Sequence, residues 1–126
     1  MFPLCEPYSP TMLIKSASGA AQTNAPAFAA TADKTNYLTG FDITGSGATG
    51  ASVIDVTITG LLGGTVVYSM EVLAGATGSV NAEGGLSVRL PYPMPASAIN
   101  TAITVSAPTF GGGNTKASVV AHGFRV

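Results

Sequence analysis

The sequence predicts an all-β fold, an eight-stranded antiparallel sandwich or jelly roll with an extended N-terminal arm. Three observations predict it. Apolar residues recur at every second position in the most regular stretches, glycine-bearing turns separate those stretches at near-regular spacing, and no run of ten residues joins helical periodicity to helix caps.

The elements follow in order. Met12 to Ser16, Ala27 to Thr31 and Tyr37 to Thr44 are short runs rich in β-branched and aromatic residues, the composition that suits a pleated, half-buried surface. Val53 to Thr59 alternates cleanly, with Ile54, Val56 and Ile58 facing one way and Val53, Asp55, Thr57 and Thr59 the other. Val66, Tyr68, Met70 and Val72 repeat that pattern beyond the turn Gly60 to Gly64, so these two runs are expected to form a hairpin. Leu86 to Leu90, Thr101 to Ala107 and Ala117 to Phe124 complete the eight. Pro91, Pro93 and Pro95 hold an extended segment that has no ladder donors at those positions, which places it at an edge or corner. Inward alternation gives a core of Tyr37, Phe41, Ile43, Ile54, Val56, Ile58, Val66, Tyr68, Met70, Val72, Leu86, Val88, Leu90, Ile103, Val105, Val119 and Ala121.

At 126 residues with 46% hydrophobic positions the chain is one domain able to bury a core without disulfides or metal. Only 9% of residues are charged, against about 25% in ordinary domains. Its surface is therefore made of hydroxyls and small residues, or is covered by partners. High hydropathy with low charge excludes disorder. Five Lys and Arg against six acids leave no basic patch for nucleic acid. The N-terminus lacks the basic and apolar regions of a secretory signal, and polar residues interrupt every apolar run before it reaches membrane-spanning length.

Residues 1–16 are expected to form an extended arm and residues 17–126 the β domain. Pro3, Pro7 and Pro10 oppose helix in the arm, while Phe2, Leu4, Tyr8, Met12 and Leu13 give it apolar anchors for a surface outside its own sheet.

Several motifs imitate chemistry. Gly45, Gly47 and Gly50 match the spacing of a dinucleotide fingerprint with Glu71 about 20 residues on, yet a strand follows where the fingerprint requires a helix N-terminus to hold the pyrophosphate. His122 has no titratable neighbour in sequence and reads as a surface or interface residue. The acids Glu6, Asp33, Asp42, Asp55, Glu71 and Glu83 form no placed glycosidase pair, and Asp55 and Glu71 fall on solvated strand faces. Cys5 has no cation beside it to activate the thiol and no second cysteine to pair with. Tyr8 and Tyr92 are the tyrosines left for stacking sugars, in a chain with no Trp. No catalytic residue, cofactor or metal is expected.

The runs Thr35 to Thr49, Val56 to Thr65, Pro95 to Val105, Phe110 to Thr115 and Ala121 to Phe124 resemble small structural proteins of tailed bacteriophage virions, above all capsid decoration (cement) proteins. The resemblance covers about residues 17 to 126 and rests on turn and strand patterns. It implies a jelly-roll subunit, a homotrimer, made in the host bacterial cytoplasm and placed on the outer capsid surface of the virion. There it binds the major capsid protein and clamps the lattice against the pressure of packaged DNA, with no direct nucleic-acid or membrane contact. The alternative is a host- or carbohydrate-binding jelly-roll module of a phage head or tail fibre, working through the glycine-rich loops at one end.

Overall fold

Each run expected to be a strand contains one, although Ala27 to Thr31 keeps only Ala27–Phe28 and Thr101 to Ala107 only Ile103–Ser106. The computed structural model describes residues 10–72, 84–109 and 116–126. Among these lie β1 (Thr11–Gly19), β2 (Ala27–Phe28), β3 (Asn36–Ser46), β4 (Ser52–Thr59), β5 (Val66–Val72), β6 (Gly84–Pro95), β7 (Ile103–Ser106) and β8 (Lys116–Arg125). They form two antiparallel sheets of four strands, ordered β1-β8-β3-β6 and β2-β7-β4-β5.

The pairing is nested. β4 and β5 form a hairpin in which Ile58 opposes Val66 across the Gly60 to Gly64 turn, and around it pair β3 with β6, β2 with β7 and β1 with β8. The chain changes sheet at every connection except that hairpin. Strand directions therefore bring the ends of β1, β3, β5 and β7 to one end of the molecule, and the β2–β3, β4–β5 and β6–β7 connections to the other.

Between the sheets lies one core. Phe41, Ile43, Val119 and Ala121 enter it from the first sheet, and Phe28, Ile54, Val56, Ile58, Met70, Val72, Ile103 and Val105 from the second. The Phe41 and Tyr68 rings meet edge to face across it with centroids 5.4 Å apart. Val66, Leu86, Val88 and Leu90 pack at its margin.

Tyr37 departs from the expected core. A register shift between Leu38 and Gly40 makes Thr39 an extra residue, so Leu38 and Phe41 both face inward although they are three apart. Tyr37 consequently lies on the outer face, stacked on Phe124 at 4.8 Å. On β6 the same irregularity is larger. Met94 opposes Leu38 and Arg89 opposes Gly40, so Leu90 to Pro93 arch past Thr39 alone. The three prolines thus sit on an edge strand, where missing donors cost no ladder bond.

The end bearing the β4–β5 hairpin is cross-bonded. Asn36, 1% exposed, donates its amide N–H groups to the carbonyls of Phe28, Ala29 and Thr101 and accepts from Arg125 Nε at 2.9 Å. Ser97 N–H donates to Gly60 O, Leu62 N–H to Pro95 O and Asn100 N–H to Lys34 O, which joins the three connections at this end.

The proposed arm is corrected in its second half. Thr11 to Ser16 belong to β1, paired residue for residue with β8 from Arg125 to Val120, because Leu13 finds a place in the domain's own core. Residues 1–9 lie outside the described residues.

Candidate functional site

The outer face of the β1-β8-β3-β6 sheet gathers the most distinctive side chains. Its register sets Met12, Phe124 and Tyr37 abreast, then Ile14, His122 and Gly40, then Ser16, Val120 and Asp42. Met12 and Ile14 are 75% and 68% exposed, whereas Leu13 between them is 8% exposed and packs inward. Alternation along β1 thus puts an apolar strip on one margin of the face. Lys15 shares the inward side of Leu13 but stays exposed, because β2 beneath it is only two residues long. An inward charge on an edge strand opposes pairing with another chain.

A polar network occupies the other half. Asp42 on β3 receives both guanidinium nitrogens of Arg89 from β6, at 3.1 and 3.2 Å, and the Ser87 hydroxyl at 2.6 Å. His122 Nε2 from β8 lies 2.8 Å from its other oxygen. The Arg89 guanidinium foremost, then the Ser87 hydroxyl and the His122 ring, hold the Asp42 carboxyl far below the usual carboxylate range, outweighing the opposing effect of burial. An acid so held is ionised at neutral pH with its lone pairs taken. It is no proton acceptor at neutral pH. Asp42 also stands between Ser87 and His122, so the ring is not placed to draw the serine proton as a nucleophile's base would. The network ties edge strand β6 to the two strands inside it.

The remaining acids are scattered. Asp55 and Glu71 lie exposed on the outer face of the other sheet as diagonal neighbours, with Asp55 accepting from Ser69 at 2.6 Å. Glu6, Glu83 and Cys5 lie outside the described residues. No group of three His, Cys, Asp or Glu side chains is placed to hold a metal among the described residues. Beyond Gly45, Gly47 and Gly50 comes strand β4, so the loop opens no helix. At the same end a shallow groove is lined by Thr23, Ser52, Asp55, Pro108 and Thr109, and Ser52 Oγ is buried there with no hydrogen-bond partner among the described residues.

Of the five expected anchors, Phe2, Leu4 and Tyr8 fall outside the described residues, Met12 is exposed and Leu13 belongs to the core. Sequence reasoning missed Ile14 as a surface residue. The period of two held the signal, since Ile14 must share a face with Met12. It also missed the partnership of His122 with Asp42, because strand register rather than sequence proximity joins them. Tyr92, 78% exposed, crowns the arch of β6 between two prolines. No helix among the described residues is long and apolar enough to cross a membrane. Compared with protein-family models, with curated proteins and with solved structures, the chain matches none.

Proposed function

We propose that this chain is a bacteriophage capsid decoration (cement) protein, a jelly-roll subunit that trimerises and binds the major capsid protein on the outside of the head. The nested strand pairing supports the jelly roll: one long hairpin with its tip at Gly60 to Gly64 has been rolled into two facing sheets. The observation that carries the role is the surface. On a chain with 9% charged residues, Met12, Ile14, Val53, Leu62, Val67, Tyr92 and Ile99 stand more than half exposed, an apolar exterior suited to burial among repeated neighbours. Binding only to the assembled lattice stabilises it by mass action.

Purified protein mixed with emptied, expanded heads of the phage that encodes it should co-sediment saturably with them. Binding to host cells or glycans without binding to heads contradicts the proposal. That outcome belongs to the second reading, a carbohydrate- or host-binding module, which the groove around Ser52 and Asp55 favours.

A further inference from the structure

Four strands form the edges of the two sheets, and three of them are guarded against pairing with another chain. β6 carries prolines, β1 turns the charge of Lys15 inward, and β2 is two residues long. β5 has none of these devices. Its seven residues, Val66–Val72, include no Pro, no Gly and no inward charge.

Hydrogen bonds of the neighbouring strands fix what this edge offers. Val105 N–H donates to Pro26 O at 3.1 Å and Ala107 N–H to Asn24 O at 2.9 Å, so both residues address the β2 side. Backbone groups alternate sides along a strand, and Thr104 and Ser106 therefore address β4, opposite Thr59 and Thr57. On β4 the other set, Ile58, Val56 and Ile54, is left to bond β5 at Val66, Tyr68 and Met70. The N–H and C=O groups of Val67, Ser69 and Glu71 consequently point out of the sheet edge, where no described strand receives them.

β6 lies over β5 on this side of the sandwich, and the core is incompletely covered between them. Among the described residues, the half-buried hydrophobics packed against the core, Val66, Tyr68, Leu86, Val88, Leu90 and Met94, all belong to these two strands. At the opposite margin Leu13 and Phe28 are buried. Charge is one-sided as well. None of the five Lys and Arg residues lies on a strand of the β5 sheet, whereas Asp55 and Glu71 stand exposed on its outer face beside the open edge.

We propose that the β5 edge accepts an extended segment of a partner protein as a fifth strand, one whose alternate residues are apolar and basic. Its apolar residues cover the margin between β5 and β6, its Lys or Arg side chains lie beside Asp55 and Glu71, and its backbone bonds Val67, Ser69 and Glu71. Main-chain hydrogen bonds then give affinity and the alternating side chains give specificity. Residues that exchange hydrogen bonds across an antiparallel pair carry their side chains on the same face, so the partner amides that bond β5 are those of its basic residues. The inference goes beyond the decoration role and does not depend on it.

The test uses the full chain and a fluorescent peptide of about nine residues in which Val alternates with Lys. Anisotropy should show saturable binding, and the same residues segregated into a Val block and a Lys block should bind about tenfold more weakly. Methylating two of the Lys backbone amides, which face β5, should weaken binding about tenfold or more, while methylating two Val amides, which face away, should leave it within about twofold. On the protein, Val67→Pro removes an outward N–H and no ladder bond, so it should keep the wild-type urea midpoint and lose about tenfold in affinity. Should that variant fail to fold, the methylated peptides decide the matter on the wild-type chain. Absence of saturable binding overturns the inference, and so does binding that ignores which amides are methylated, since charge alone then holds the peptide. A wild-type dimer that Val67→Pro dissociates makes a second copy the occupant of this edge and overturns it too.

Discussion

Asp42 shows how much one side chain does on an exposed sheet face. It joins three strands through Arg89, Ser87 and His122, so Asp42→Asn should destabilise the fold by about 1–2 kcal/mol, the range for hydrogen bonds to a charged group reduced for partial exposure. The effect carries a pH signature. Because the folded-state pKa lies below the unfolded value of about 3.9, the stabilisation is complete above that value and is lost as pH falls toward the folded pKa. In urea titrations the gap between wild type and Asp42→Asn should narrow from about pH 5 to about pH 2; a gap that stays constant speaks against the ion pair. Asn36 is the buried counterpart. Asn36→Ala removes the bonds to the Phe28, Ala29 and Thr101 carbonyls and to Arg125 Nε, leaving Arg125 only its contact with Ala29 O, and should cost about 2–4 kcal/mol in the same titration. Neither residue's role was legible in the sequence. Asp42 lies eighty positions from His122, and only the β3–β8 register brings them together.

At the scale of elements, the strands were legible and their irregularities were not. Val53 to Thr59 and its partner across the Gly60 to Gly64 turn announce a hairpin because alternation and turn chemistry agree, and the hairpin forms. Thr39 defeats the same reasoning: one extra residue reverses the parity of β3, so Tyr37 goes outward and Leu38 inward. The two-residue strand β2 buries Phe28 completely, yet is too short to show a period. Glycines in the hairpin turn offer a clean contrast. Gly60 has φ +88° and a side chain there would drive into the carbonyl of Ala102, whereas Gly63 faces open space. Gly60→Ala should therefore lower the urea midpoint by the equivalent of at least about 2 kcal/mol, and Gly63→Ala should change stability by less than about 0.5 kcal/mol. Equal effects would mean that the turn is not held as described.

For the whole molecule, sequence reading reached an all-β chain of two facing layers because low charge, period two and glycine turns all point there. It could not say which surfaces meet a partner. Surface residues serve solvent or neighbour with the same composition, and Ile14 and Tyr92 stand out only once register shows where they lie. In the proposed role this surface is covered by neighbouring subunits of a capsid. The most direct measurement is the temperature at which filled heads of the encoding phage release their DNA, taken with heads stripped of the protein and again after adding it back to saturation. A decoration protein should give a higher release temperature after addition, rising with occupancy as mass action requires. An unchanged release temperature at demonstrated full occupancy would contradict it.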